Sequence, residues 1–183
     1  MSFPRASLMA DLLRFVVFAP DLLDQVRDFD YGDEAYQKEL ADWMRNDAVP
    51  ALGRGTKVWL YVNQAGEVVG YGSLGVTRWK YPEAASRKVE LLVVPAVALR
   101  KTFWGKPAGA KEGRYSSQIM GHLLADALAW PGKLPAVGLF VHPHNQAAIQ
   151  LYQRLGFRPF PHSYTDPVTG VTYRSFVRPL SHR

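Results

Sequence analysis

Residues 137–157, VGLFVHPHNQAAIQLYQRLGF, decide how this chain is read. Val137 to Val141 form a short apolar run of strand type, and His142-Pro143-His144 breaks it. Asn145 is a natural N-cap for the helix that follows, Leu151 and Leu155 lie one turn apart, and Gly156 supplies the stop. A buried strand therefore feeds a helix with reactive side chains at its start. Asn145 and Tyr152 are seven residues apart, about two turns at ~3.6 residues per turn, so amide and phenol share one helix face.

Outward from this unit, residues 88–95, KVELLVVP, form a near-continuous apolar strand of the kind buried on both faces, which makes it the central one. Residues 116–130 carry Ile119, Met120, Leu123, Leu124, Ala127 and Leu128 at helical spacing. Upstream, Val58, Leu60 and Val62 alternate with Trp59 and Tyr61, and the turn at Asn63-Gln64-Ala65-Gly66 leads into residues 67–76, an antiparallel hairpin. Gly70, Gly72 and Gly75 in the return strand signal a bulge or the close approach of another backbone. Residues 12–19 read as a first strand, and Pro20-Asp21 opens a short helix to about Val26. Asp33 is expected to cap a helix carrying Tyr36, Leu40, Trp43 and Met44 on one side, ending before Pro50. After Gly156 the spacing predicts a Pro- and Gly-rich loop and a last strand at 172–177. The order predicts one α/β domain over residues 1–183, a mixed central sheet flanked by helices.

The 183 residues are 48% hydrophobic, enough for one real core. Zero cysteines exclude disulfides and thiolate chemistry, and the five histidines show no zinc-ligand spacing, so no metal is expected. No apolar run approaches the ~18–20 residues of a membrane span, and the first twenty residues lack the features of a signal peptide; the expected location is the cytoplasm, with no membrane partner. The formal charge of +6 is uneven, with five arginines against Asp166 alone from Arg154 onward. Such a surface suits a phosphorylated partner or simple solubility.

The pattern Asn145, Ala148, Leu151-Tyr152 and Gly156-Phe157 resembles the acyl-CoA-binding helix of the GNAT superfamily of N-acetyltransferases. The resemblance implies acetyl-CoA as cosubstrate and transfer of its acetyl group to a primary amine of a small molecule or protein. It implies Tyr152 as the acid that protonates the departing thiolate, with Asn145 beside the pantetheine arm. The central strand would offer backbone at Val93 and Val94 to the pantetheine and the oxyanion, and Glu90 would be the base, with His142 and His144 as alternatives. The pyrophosphate would sit on the turn from Lys111 to Ser116 and the helix start behind it, which assigns Arg114, Tyr115, Ser116 and Ser117 to the cofactor. Two departures stand out. Arg114 falls where the family has a glycine, and the connection of about 96–112 is long for the family, with Phe103-Trp104 suggesting a lid or substrate wall.

Residues 28–32, DFDYG, and the hairpin VWLYVNQAGEVVGYGSLG resemble the opening of the acetyltransferase toxins that act on aminoacyl-tRNA, which adds RNA to the candidate partners. A non-catalytic acyl-CoA-binding domain on the same fold is the other alternative, and related enzymes commonly form homodimers.

Overall fold

In a computed structural model the described residues are 13–81, 84–108 and 113–181. The expected beginning of the first strand at Leu12 and the turn residues Lys111 and Glu112 lie outside them. In chain order the elements are β1 (Arg14–Val17), α1 (Leu23–Val26) after a 3-10 turn, α2 (Ala35–Asp42), α3 (Ala48–Gly53), β2 (Lys57–Val62) and β3 (Val68–Tyr81). There follow β4 (Ala84–Val94), β5 (Val97–Leu99), α4 (Tyr115–Leu128), β6 (Ala136–Val141), α5 (Gln146–Arg154), β7 (Arg158–Thr165) and β8 (Thr172–Pro179). The strands form one mixed sheet in the order β1-β2-β3-β4-β6-β8-β7, with β5 beside β3. Only the β4–β6 contact is parallel.

Strand alternation sorts the core onto the two faces. Val58 and Leu60 of β2 pack with Phe18, Val26, Met44 and Ala48 under α1 to α3. Trp59 and Tyr61 point the other way, to Ile119, Met120 and Leu123 of α4 and Ile149 of α5. β4 is central, as its apolar run requires, with Leu92 fully buried. No helix among the described residues is long and apolar enough to cross a membrane.

Three elements differ from expectation. The helix beginning at α2 does not stop before Pro50: a five-residue π turn, Trp43–Asp47, joins it to α3, and Ala48 N–H reaches Trp43 O. That wider turn stands just ahead of Pro50, whose ring would press on the carbonyl four residues back in a regular α-helix. The helix is capped by Glu34, whose N–H donates to Gln37 Oε1 at 2.9 Å, and Asp33 instead pairs with Lys101. Finally, the segment after Gly156 is not all loop. It contains β7, the outer strand of the sheet, where Pro159 and Pro161 are tolerated because an edge strand has a side that needs no ladder bonds, with a bulge between Phe160 and Ser163.

The connection after Pro95 is not a free loop either. Gly75 pairs with Val93 and Gly72 with Val97, so three steps along β3 face four along the β4–β5 chain, which is a one-residue bulge. Ser73, fully buried, fixes it: its Oγ donates to Ala96 O at 2.7 Å and accepts from Ala96 N–H at 2.9 Å, while Ser73 N–H also donates to Ala96 O. β5 is therefore the central strand resumed, still on β3. The glycines of β3 admit it: a Cβ on Gly70 would lie 2.2 Å from Ala98 O.

Three outcomes follow for stability. Gly70→Ala must push β5 off β3 and should cost about 1–3 kcal/mol in denaturant unfolding, whereas Gly121→Ala, at an exposed position of α4 where nothing lies within 4 Å, should stabilise by about 0.5–1 kcal/mol. Ser73→Ala leaves the buried Ala96 N–H without its acceptor, and a loss of about 1–3 kcal/mol is expected in the same measurement.

Candidate active site

β4 and β6 pair only from Leu92↔Val137 to Val94↔Leu139. Past that point the bulge carries β5 toward β3, while Phe140 and Val141 continue on β8, so a gap opens between the two strands. Ala96 O accepts from Ser73 N–H and Arg100 N–H donates to Val69 O, so residues 96, 98 and 100 turn their backbone to β3. By the two-residue alternation, Val97 and Leu99 turn theirs into the gap. Leu99 O is taken there by Trp104 Nε1 at 2.8 Å. The Val97 N–H and C=O and the Leu99 N–H remain directed at whatever fills the gap.

Two cavities meet at this opening. The larger, about 470 Å³, runs between β5, the start of α4 and one face of α5, and is lined among others by Val97, Leu99, Arg114, Ser116, Asn145 and Tyr152. The smaller, about 290 Å³, lies on the other side, between α2, the end of β6 and the β7–β8 hairpin. Asn145 and Tyr152 border both, with Tyr36, Leu40 and Val97. Their charges are opposite. The ionised side chains lining the larger cavity are Arg114 and Arg154, and those lining the smaller are Glu39 and Asp166.

The helix α5 places the two residues its sequence put on one face. Asn145 caps it, its Oδ1 accepting from Ala148 N–H at 3.2 Å, and Gly156 closes it with φ +84°. Tyr152 is 7% exposed, and burial pushes its phenol up to about 12. Among the described residues its hydroxyl makes no hydrogen bond, yet no buried side-chain oxygen or nitrogen lacks a partner, so the hydroxyl opens onto the cavities. It is a neutral donor held ready at the junction.

At the start of α4, Ser117 and Gln118 N–H turn back to Arg114 O at 3.0 and 3.2 Å, and no side chain caps the helix. The Ser116 N–H has no partner among the described residues, and the Arg114 and Ser116 side chains line the cavity, an arrangement suited to an anion. Arg114 itself is extended (φ −90°), and the left-handed residue of the turn is Gly113, at φ +76°. The glycine missing from the expected position is thus supplied one residue earlier.

Other candidates fall elsewhere. Val93 is paired with Gly75 and Gly138 and lines neither cavity, Val94 lines only the smaller, and the strand bordering the larger is Val97–Leu99. Tyr115 and Ser117 line neither; Tyr115 packs edge-on against Phe103 at 5.5 Å. Glu90 is not at the site: its carboxylate, half-exposed, pairs with Arg78 of β3 at 3.4 Å, because it lies before the stretch of β4 that pairs with β6, at the end away from the gap. His142 lines the smaller cavity and His144 the larger. Burial, aided by His144, holds His142 below the ordinary histidine value, and its Nδ1 accepts from His144 N–H at 3.2 Å. Neutral His142 therefore carries its proton on Nε2.

The described part of the segment expected as a lid is tied down. Lys101 N–H donates to Asp30 O, the Arg100 guanidinium lies 4.0 Å over the Phe29 ring, and Trp104 packs where a Cβ on Gly32 (φ +123°) would clash. Tyr31, buried against Tyr71, and Trp104 both line the larger cavity. Tyr31 of this segment thus forms part of its wall. What sequence reading missed is the acidic side of the junction, Glu39, Asp166 and Tyr173; alternation on β8 could have placed Tyr173, but nothing in sequence brings α2 to that hairpin.

Comparison with known proteins agrees with this architecture. No curated protein sequence matches the chain. Among solved structures, the toxin AtaT bound to the C-terminus of its antitoxin AtaR superimposes with TM-score 0.64 at 16% identity, covering 92% of this chain and 94% of that one. The Arabidopsis thaliana NAA60 complex with a bisubstrate analogue gives 0.61 at 16% identity (92% and 99%), and an N-acetyltransferase described as acting on phosphinothricin gives 0.64 at 15% (93% and 99%). AtaT and NAA60 are also known as acetyl-CoA complexes of the same fold. At such identities the likeness is one of fold, but a family model also matches residues 19–157, most of the sequence, and by that match the chain belongs to the acetyltransferase (GNAT) family.

Proposed function

We propose that this protein is an acetyl-CoA-dependent N-acetyltransferase that transfers acetyl directly to a primary amine, with the cofactor in the larger cavity and the amine in the smaller. The observation that carries the reading is the pair of oppositely charged cavities joined at the Tyr152 hydroxyl. The residues present fit the cofactor. Arg114, Arg154, Ser116 and the Ser116 amide at the α4 start suit phosphates, and the outward backbone of Val97 and Leu99 suits the amide-bearing pantetheine arm.

Acetyl-CoA supplies the activated acyl group as a thioester. Asn145 and the gap in the sheet orient that end toward the acidic cavity, where the amine arrives as its free base. Tyr152 gives its proton to sulfur as the C–S bond breaks and the electron pair stays on sulfur. The proton that nitrogen loses as the N–C bond forms restores the phenol through solvent. A phenol raised to about 12 by burial keeps its proton throughout the neutral and mildly alkaline range. Glu90, on the outside of the sheet, has no part in these steps.

Acetylation of aminoacyl-tRNA is the second reading, favoured by the toxin structures among the neighbours. In the DFDYG segment, Tyr31 lines the larger cavity, while Asp28 and Asp30 are exposed.

Thermal unfolding with acetyl-CoA tests the cofactor site, because a ligand of the native state alone stabilises by about 2.7 kcal/mol at a hundred times its Kd. A raised midpoint with acetyl-CoA and with CoA is expected, reduced in Arg114→Ala; an unchanged midpoint at millimolar ligand would sink the reading. Tyr152→Phe should lower kcat at least ~10-fold while leaving the acetyl-CoA midpoint shift in place, and equal turnover by the two proteins would remove Tyr152 as the acid.

A further inference from the structure

We propose that the acceptor is a small alkylamine carrying a second, non-reacting cation, which Glu39 and Asp166 hold while the free amine end meets the acetyl group beside Tyr152. This rests on the N-acetyltransferase reading above and names the substrate class of its acceptor cavity.

The first argument is charge. In a chain of net +6, the ionised groups lining this cavity are two carboxylates, with neither lysine nor arginine among the lining residues. A nucleophilic amine must be uncharged at the moment of attack, so carboxylates gain nothing from a monoamine once it has lost its proton. A second ammonium or guanidinium keeps its charge through the reaction, and its attraction to the carboxylates then positions the first nitrogen.

The second argument is the wall. Tyr36 stacks on His142 at 4.6 Å, Tyr173 meets His142 edge-on at 5.7 Å, and Trp43 and Tyr164 complete an aromatic lining that accepts alkyl chains and cations on its ring faces. His142, neutral for the reason given above, adds no competing positive charge. The third argument is that the acids are placed rather than accidental. Glu39 accepts from the Tyr173 hydroxyl, which directs a carboxylate of α2 into the cavity from a neighbouring hairpin. Asp166 Oδ1 is occupied by the amides of Val168 and Thr169 at 2.8 Å, leaving Oδ2 for a ligand. The fourth is Tyr152, more than nine-tenths buried, whose unpartnered hydroxyl faces the same space. A volume of about 290 Å³ is at the lower end for small-molecule sites and fits a short diamine better than a folded polypeptide surface.

The test is CoA release from acetyl-CoA with matched acceptors: 1,4-diaminobutane and 1,5-diaminopentane, butylamine and pentylamine, and a short peptide with a free N-terminus. The diamines are expected to show kcat/KM at least ~10-fold above their monoamines. Glu39→Gln and, separately, Asp166→Asn should shrink that preference through KM for the diamine, with the acetyl-CoA midpoint shift retained as proof of folding. Tyr173→Phe, which frees the Glu39 carboxylate without removing it, should give a smaller loss. Equal use of mono- and diamines, or a preference for the peptide or for aminoacyl-tRNA, would overturn the substrate class and leave the acetyltransferase reading standing. No release with any acceptor, despite a midpoint shift with acetyl-CoA, would overturn both.

Discussion

The site depends on one exchange of hydrogen bonds, that of the Ser73 hydroxyl with the backbone of Ala96. Pro95 lacks an N–H, so the central strand cannot continue its ladder unbroken, and the extra residue at the bulge leaves Ala96 buried with polar groups to satisfy. Ser73 satisfies both of them at 0% exposure. With that latch in place the chain rejoins β3 as β5, β6 goes on with β8 alone, and a sheet of otherwise continuous pairing acquires one gap. The gap exposes backbone donors and acceptors at Val97 and Leu99, in a part of a protein where such groups are ordinarily paired. Without the bulge those groups would belong to β6 and there would be no place for a ligand to pair.

Electrostatics then divide the opening. Overall charge says little about either side, since the acidic cavity is embedded in a basic protein and the basic cavity carries only two arginines. What matters is that charges of one sign line each side of Tyr152, where water is partly excluded and interactions are stronger than in bulk solvent. Under the proposed reading, phosphates and a cationic amine are thereby drawn to opposite sides of one phenol. That phenol carries no charge of its own, and burial keeps it so.

Much of this was legible in the sequence, and the limits have physical causes. The strand-to-helix unit of 137–157 was readable because cap, period and stop are all local, and β6 and α5 follow it within a residue or so. The glycines of β3 announced a close backbone approach, and Ala98 provides it at Gly70. The strand that approaches was not readable, because β5 is three residues long and its existence depends on a serine twenty-odd residues upstream. Hence the backbone offered to the cavity is displaced from Val93 and Val94 to Val97 and Leu99. β7 was hidden by its prolines, whose tolerance depends on edge position, a property of the assembled sheet. Glu90 shows the converse error: strand position was legible, but which end of the strand borders the gap was not.

The two cavities also differ in what they are made of, and this bears on how each can change. The cofactor side is formed largely by backbone at β5 and the α4 start, by the cap at Asn145 and by residues 28–33 locked under Trp104, so substitutions there disturb the fold as well as the ligand. The acceptor side is formed by side chains on α2, on the end of β6 and on the outer hairpin β7–β8. Tyr164 is 45% exposed there, and Glu39 and Tyr173 are only partly buried, so exchanging them removes little core. A surface replaceable at small cost to stability is where specificity can be set independently of the scaffold. In this chain the ionised groups on that surface are carboxylates.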